Sequence, residues 1–348
     1  MSMAEAHNAE APPPPLRVAW WGERQDFAAF QAAIDSCLEF HLIACGGMAK
    51  ADAPPNLEWL ADGRAAIESG KFDALVLSGP PRDNVSLAQA ALDAKINVWQ
   101  RPPLGRDFAE SAAMAKLGQE GHATYVVGSW WEHVAEAWEK TTGQTPAFAA
   151  SFAEARVSTV GPTGNDWRAL RTEAGGGALL LSAYDLLECL SGLLSTPEAV
   201  YAVTGRSPRA ADAPPRDSED WGAALLRYAD GASAVVRAAW DIGANEERLA
   251  LYSAGQSLSI SRESVTLTAG DARSFVAALP ADRFEGEMRR FARAILDDAY
   301  RAGPAVRTLR RHLAVSAVLE AAYLSARTSH PESPRTFFEL EGAQEPRV

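Results

Sequence analysis

The side chains that most often carry metal or nucleophilic chemistry are sparse here. Three cysteines (Cys37, Cys45, Cys189) show no CxxC spacing, and six dispersed histidines form no HxxxH or HxH pair. That pattern supplies no zinc site and no other metal framework, and it fits reduced thiols in a cytoplasm. Of only five lysines, the last is Lys140, so no amine beyond it is present to act as base or nucleophile. Aromatic and cationic clusters remain. Trp130-Trp131 follow Gly128-Ser129 at the junction between two differently patterned halves. They could stack on a sugar, ring or base; packing of an interdomain seam is the favoured alternative. Arg307, Arg310, Arg311 and His312 read as a solvated helix start and not as a phosphate site.

The elements that must position such residues come in two styles. From Leu16 to Val127, short apolar runs (16–21, 40–45, 72–77, 96–99, 124–127) alternate with helical patterns (26–38, 57–68 with a candidate break near Asp62-Gly63, 84–94, 108–120). That alternation predicts crossover units and a doubly wound parallel sheet over 16–128. The second half predicts a long strand over 148–158 and an apolar helix after the glycines at 175–177. Period-2 strands follow from Ala199, and Asp230-Gly231 sits between two of them as a hairpin turn. Two helices and a last strand over 335–340 complete an α+β domain, 129–340, on a large, open, mostly antiparallel sheet.

Composition narrows function. The net charge is −12, with 47% hydrophobic and 22% charged residues, the profile of a globular protein. Nucleic acid is a poor partner for such a charge, and so is an anionic membrane surface. No apolar run approaches the roughly 20 residues of a membrane span. Residues 1–15, ending in four prolines, read as a disordered tail without a secretory signal.

Several segments in order resemble the Gfo/Idh/MocA oxidoreductases. Asp73-Ala74-Leu75-Val76-Leu77-Ser78-Gly79-Pro80-Pro81 is similar to their strand ending in a Thr-Pro-like turn. Ala90 to Ala94 with Val98 to Leu104 is similar to their helix, strand and Glu-Lys-Pro-Leu turn. Trp167-Arg168, followed by Gly175-Gly176-Gly177-Ala178-Leu179, is similar to the approach to the helix that faces the nicotinamide. Ala224 to Ala232 is similar to the sheet hairpin.

The resemblance implies a dinucleotide, NAD(P), held near Gly22, Arg24, Ser78, Gly79, Pro80 and Pro103, and a cleft lined by Trp130, Trp131, Trp167 and Arg168. Residue by residue, the match fails at the chemistry. The phosphate turn reads Gly22-Glu23-Arg24-Gln25-Asp26-Phe27, keeping one glycine of three. Glu23 and Asp26 would repel phosphate, and Phe27 would obstruct close helix–strand packing. Arg24 could instead clamp a phosphate; a turn that no longer binds nucleotide is the favoured reading. On Trp20-Trp21, one indole could fill the space of a missing adenine or pyrophosphate. The ribose acid is absent from Ile43 to Gly47, and the nearest cation is Lys50. In Gln100-Arg101-Pro102-Pro103-Leu104, Arg101 and Pro102 replace Glu and Lys, and an arginine stays protonated and makes a poor base. Leu181 and Asp185 replace the Asp and His of the facing helix, and Asn84 stands where His is frequent. Asp185 could be a carboxylate base with Tyr184 and Glu188 beside it, or a hydrogen-bonded polar residue at a helix start.

Three functions follow. The first is a family member with a degenerate site, catalytically silent, keeping a cleft for a sugar- or polyol-like ligand. The second is an active NAD(P)-dependent oxidoreductase on a sugar or related alcohol, using Arg24, Arg101 and Asp185. The third is a cofactor-independent lyase or isomerase using Asp185 and Tyr184. The resemblance also implies association through the open sheet, with itself or with an active relative.

Overall fold

The computed structural model describes residues 14–164, 166–208, 216–270, 272–343 and 345. Most of the expected tail lies outside the described residues, as do 209–215, within the Pro-, Ala-, Arg- and Asp-rich stretch 206–220 whose sequence reads as a mobile loop.

The first half folds as β1 (Leu16–Gly22), α1 (Arg24–Asp35), β2 (Phe40–Gly46), β3 (Glu58–Leu60), α2 (Gly63–Glu68), β4 (Ala74–Ser78), α3 (Pro81–Asp93), β5 (Asn97–Gln100), α4 (Phe108–Glu120) and β6 (Tyr125–Val127). The six strands pair in parallel, in the order β3-β2-β1-β4-β5-β6. The order reverses at β1/β4, which makes a doubly wound sheet with its switch point there.

The helix expected over 57–68 is corrected. Glu58–Leu60 pairs with Ala44–Gly46 as an edge strand. The helix begins only at Gly63, because the Asp62 side chain accepts from the Ala65 N–H at 3.0 Å and caps it.

The second half runs α5 (Trp130–Thr142), β7 (Phe152–Thr159), α6 (Arg171–Ala174), α7 (Ala178–Leu193), β8 (Ala199–Gly205), β9 (Trp221–Arg227), β10 (Ser233–Trp240), β11 (Glu246–Ser253), β12 (Gln256–Ser261), β13 (Ser264–Ala269), β14 (Ala272–Ala278), α8 (Phe284–Leu296), α9 (Asp298–Tyr300), α10 (Val306–Thr328) and α11 (Arg335–Leu340). Its sheet has eight strands in the order β14-β13-β12-β11-β7-β10-β9-β8, antiparallel except for β7 beside β10. Gly231 takes φ +90° in the expected Asp-Gly turn.

Residues 171–193 reach a mean hydropathy of 1.2, enough by composition for a membrane span. They are nonetheless two helices broken at Gly175-Gly177, and 67% of the apolar window is buried inside the protein. The strand expected over 335–340 is instead α11. Pro334 starts it, and Phe337 and Phe338 pack on Phe108 with ring centroids 6.0 and 5.2 Å away.

From α8 onward the chain returns to the first sheet. Met288 and Phe291 join the core of Val18, Trp20, Phe30 and Trp99. Leu309, Leu313 and Phe338 join the core on the other face. The run 307–312 is only half solvated: Arg307 and Arg310 are exposed, but Arg311 pairs with Glu132 at 2.9 Å and His312 is fully buried.

Candidate functional site

In an open α/β sheet, ligands bind beyond the carboxyl ends of the strands at the switch point. There Gly22 ends β1 opposite Ser78 of β4. A Cβ on Gly22 would lie 2.0 Å from Ser78 Oγ, so only glycine permits this approach. Ser78 is buried. Gly79 donates its N–H to Asn84 Oδ1 at 3.0 Å, and Asn84 Nδ2 donates to the Gly79 carbonyl at 2.9 Å. Asn84 thus spends both ends of its amide on the turn. Pro80 and Pro81 start α3 directly after it.

Trp21 spreads over this crevice. A Cβ on Gly46 would meet its ring at 2.4 Å; one on Gly47 would meet the indole nitrogen at 3.2 Å, and one on Gly79 the ring at 3.8 Å. The indole therefore lies against the ends of β2 and β4, across the place where a ribose acid is missing. Its neighbour Trp20 points the other way and is fully buried, edge-on to Phe27 at 5.0 Å. Phe27 accordingly packs α1 on β1 through an aromatic pair where a glycine would allow closer contact. Lys50 sits 5.8 Å over the Trp59 ring.

The start of α1 faces the same crevice. Helix N-termini favour anions, and here the protein supplies its own. Asp26, in the first turn, is ion-paired with Arg101, and Glu23 with Arg168 Nη2 at 2.6 Å. Arg168 also holds Asp166 at 3.1 Å and stacks on Trp167, 4.3 Å from its centroid. Glu23–Arg168 is thus a bridge from the first sheet to the second domain. Burial raises the Asp26 carboxyl above its ordinary value despite Arg101. Burial lowers Arg101, which also feels Arg283 and Arg168 nearby. Arg24 points elsewhere: 74% exposed, it pairs with Asp52 at 3.2 Å. The start of α7 is filled in the same way. Glu219 accepts from the N–H groups of Gly177 (2.8 Å) and Leu179 (3.0 Å), and a Cβ on Gly177 would strike the Glu219 carbonyl at 2.0 Å.

Between the domains lies a cavity of about 180 Å³. Arg101, Pro102, Pro103, Thr159, Leu181, Ser182, Tyr184, Asp185, Glu247, Arg262 and Arg283 contribute to its wall. The Pro102–Pro103 peptide is cis. Asp185 Oδ2 accepts from Arg283 Nη1 at 2.8 Å, and Arg262 is ion-paired with Glu247. Burial alone would push Asp185 up; Arg283, with Arg262 and Arg101 behind it, brings it below its ordinary value. A carboxylate held ionised in this way accepts hydrogen bonds well but is a weak base.

Tyr184 shares this wall with Asp185, but its hydroxyl has a different partner. Its hydroxyl lies 3.2 Å from His312 Nδ1. His312 Nε2 is 3.7 Å from Glu188, whose carboxylate accepts from the N–H groups of Trp130 (2.9 Å) and Trp131 (3.3 Å) at the start of α5. Beside it, Glu287 accepts from the Ser129 N–H at 3.0 Å and lies 3.1 Å from His133 Nε2. Trp130 and Trp131 are each only 5% exposed. Trp131 packs on Gly192, and Trp130 lies under Arg283 at 5.5 Å.

The structure thus brings Arg101, Asp185, Tyr184 and Pro103 to one cavity, and Gly22, Ser78, Gly79 and Pro80 to the adjacent crevice. It leaves Arg24 on the surface. Arg262, Arg283 and Glu247 are additions that sequence reasoning missed. They come from a strand turn, a helix approach and a sheet strand with no local signal, and only tertiary pairing with Asp185 marks them.

Residues 139–259 match the family model described as GFO/IDH/MocA C-terminal domain. No curated protein matches the chain in sequence. Among solved structures, the fold is similar to levoglucosan dehydrogenase in complex with NADH (16% identity, TM-score 0.76, covering 96% of this chain and 100% of that one). It is also similar to the aldose-aldose oxidoreductase of Caulobacter crescentus complexed with glycerol (18%, TM-score 0.75, covering 92% and 99%). A third is the biliverdin reductase of Synechocystis sp. PCC 6803 in complex with biliverdin and NADP+ (18%, TM-score 0.71, covering 90% and 99%). At these identities the structures establish the fold, and the family match rests on residues 139–259, which resemble the Gfo/Idh/MocA C-terminal domain.

Proposed function

We propose that this protein does not carry out dinucleotide-dependent hydride transfer and keeps its interdomain cavity as a binding site for a small polar molecule. The carrying observation is the start of α1, where Asp26 and Glu23 stand where a pyrophosphate would sit and are neutralised by Arg101 and Arg168. A dinucleotide would have to displace both pairs. Two like charges 4 Å apart repel by about 4 kcal/mol at the effective dielectric of a protein surface. Trp21 across the strand ends and the lack of a ribose acid point the same way, so the residues present do not fit NAD(P). The site also has no lysine to handle a proton, and Asp185 is committed to Arg283. This favours a silent protein over an active NAD(P) enzyme or an Asp185/Tyr184 lyase.

The three buried, unpaired cysteines suit a reducing compartment such as the cytoplasm. Self-association through the open sheet belongs to the same proposal. Tyr201, Leu225 and Val235 form one cross-strand row on its outer face, and Phe152 stacks with Tyr252 on the neighbouring strands. All five are between 37% and 50% exposed. An apolar patch of this kind is a docking surface, and a second copy is the occupant proposed.

The test is titration of the purified chain with NADH and NADPH, followed by tryptophan quenching and by the melting temperature. No response at millimolar nucleotide is expected. Saturable binding of either would overturn the proposal.

A further inference from the structure

The cavity between the domains is unusual in its charge. In a chain of net charge −12, its wall carries the guanidinium groups of Arg101, Arg262 and Arg283 against the carboxylates of Asp185 and Glu247, three positive groups to two negative. Asp26, which offsets Arg101, is not part of that wall. A guanidinium carries five N–H donors in a fixed plane. Among the described residues, Arg101 donates from its side chain only to Asp26, and Arg283 only to Asp185. The remaining donors of both groups have no acceptor among the described residues, and both side chains line the cavity. The Arg283 guanidinium is also held in place, 5.5 Å over the ring of Trp130 and 5.8 Å over that of Phe284. A second recess of about 320 Å³ adjoins the cavity and shares Arg101, Arg262 and Arg283, which gives a path from outside.

We propose that the ligand is a small hydroxy acid, its carboxylate bound between Arg101 and Arg283 and its hydroxyl groups donating to Asp185 and Glu247. This rests on the reading that the cavity is a ligand site and narrows it to one chemical class. Planar, paired N–H donors match a carboxylate in bidentate fashion, and such charge-assisted bonds are the strong ones. The ionised Asp185 is an acceptor only, so it selects O–H groups on the rest of the ligand. Ser182 and Thr159 supply donors and acceptors on the same wall. A neutral polyol would satisfy the acidic side of the cavity but leave the guanidinium donors unmatched.

The experiment is calorimetric titration of the full chain at neutral pH and low salt with two matched pairs, D-gluconate against sorbitol and D-glucuronate against glucose. Inorganic phosphate serves as a further probe. At least one acid is expected to bind, and its neutral partner about tenfold or more weaker. Arg101→Gln is expected to weaken acid binding about 10- to 100-fold. Arg283→Gln, which removes the other guanidinium of the carboxylate site, gives the same direction if the first variant fails to fold. Equal binding of acid and neutral partner would overturn the hydroxy-acid assignment while leaving a polar-ligand cavity in place. Phosphate binding as tightly as the acids would overturn the carboxylate. Absence of binding by all five probes at millimolar concentration would overturn both this inference and the ligand-site reading. Nucleotide titration is scored separately, so failure of the hydride-transfer argument is read independently.

Discussion

Neutralising Asp26 alone should cost more than neutralising Asp26 and Arg101 together. The pair is partly buried, with side chains 15% and 31% exposed. Burial shifts both partners toward their neutral forms, Asp26 upward and Arg101 downward, so their attraction does not fully offset desolvation. In Asp26→Asn, Arg101 keeps its charge, cannot shed its proton, and loses its counter-ion. Fully buried cases of this kind cost 3–5 kcal/mol and exposed ones less than about 1, so about 2 kcal/mol is expected here. For a chain of 348 residues, with an unfolding entropy of about 2.1 cal/mol/K per residue, that is a drop of about 3 °C in Tm. Arg101→Gln should cost about half as much, because the stranded Asp26 can take up a proton and also lies in the first turn of α1, where the helix dipole favours it. The double variant removes both charges and should melt close to the parent, within about 1 kcal/mol. Differential scanning calorimetry of the four proteins at neutral pH is the assay. A double variant that falls by the sum of the singles would refute the coupling, and with it the claim that these side chains occupy the α1 terminus as a unit.

Two further outcomes are expected. His312 is buried and its pKa is depressed to about 3, against 6.5 for a free imidazole. The unfolded chain therefore takes up a proton that the fold refuses, and stability should decline as pH falls from about 6.5 toward 3. Glu287, lowered to about 2 in the fold, deepens the loss below about 4.5. Glu188, raised to about 8, acts in the opposite sense and removes stability as pH rises from about 4.5 to 8. In His312→Gln the Tm between pH 6.5 and 4.5 should be flatter than in the parent, and an unchanged slope would refute the assignment. On the open sheet, Leu225→Glu places a charge in the row of Tyr201 and Val235. Light scattering should show a shift to monomer without loss of Tm for the isolated chain; an unchanged mass would exclude that face as the contact.

The parallel sheet was legible because its strands are short apolar runs ended by glycine or proline, as at Gly22, Gly46 and Gly79. The hairpin was legible because Asp230-Gly231 demands a particular turn. Glu58-Trp59-Leu60 was not, since three residues carry no period and only pairing with β2 makes them a strand. Arg335 to Leu340 misled because adjacent aromatics suggest a strand, whereas Pro334 and packing on Phe108 select a helix. At the site, the hostility of Glu23 and Asp26 to phosphate could be read from charge. Their partners could not, because Arg101 is 75 residues from Asp26 and Arg168 is 145 from Glu23. Arg283 likewise meets Asp185 across 98 residues of chain.

The return of the chain after Phe284 to the first sheet constrains how the protein is made. When a ribosome has released residues 16–128, every strand of that sheet exists, but the face bearing Val18, Trp20, Phe30 and Trp99 still lacks Met288 and Phe291. The opposite face still lacks Leu309, Leu313 and Phe338. On the first face, closing those loops brings together Trp99 and Met288, 189 residues apart, and Val18 and Phe291, 273 apart, and such long-range contacts form late and slowly. The nascent first domain therefore has both faces partly bare while the second domain is synthesised, and transiently exposed apolar surface of that kind favours aggregation. An isolated fragment ending near residue 128 would remain in that state.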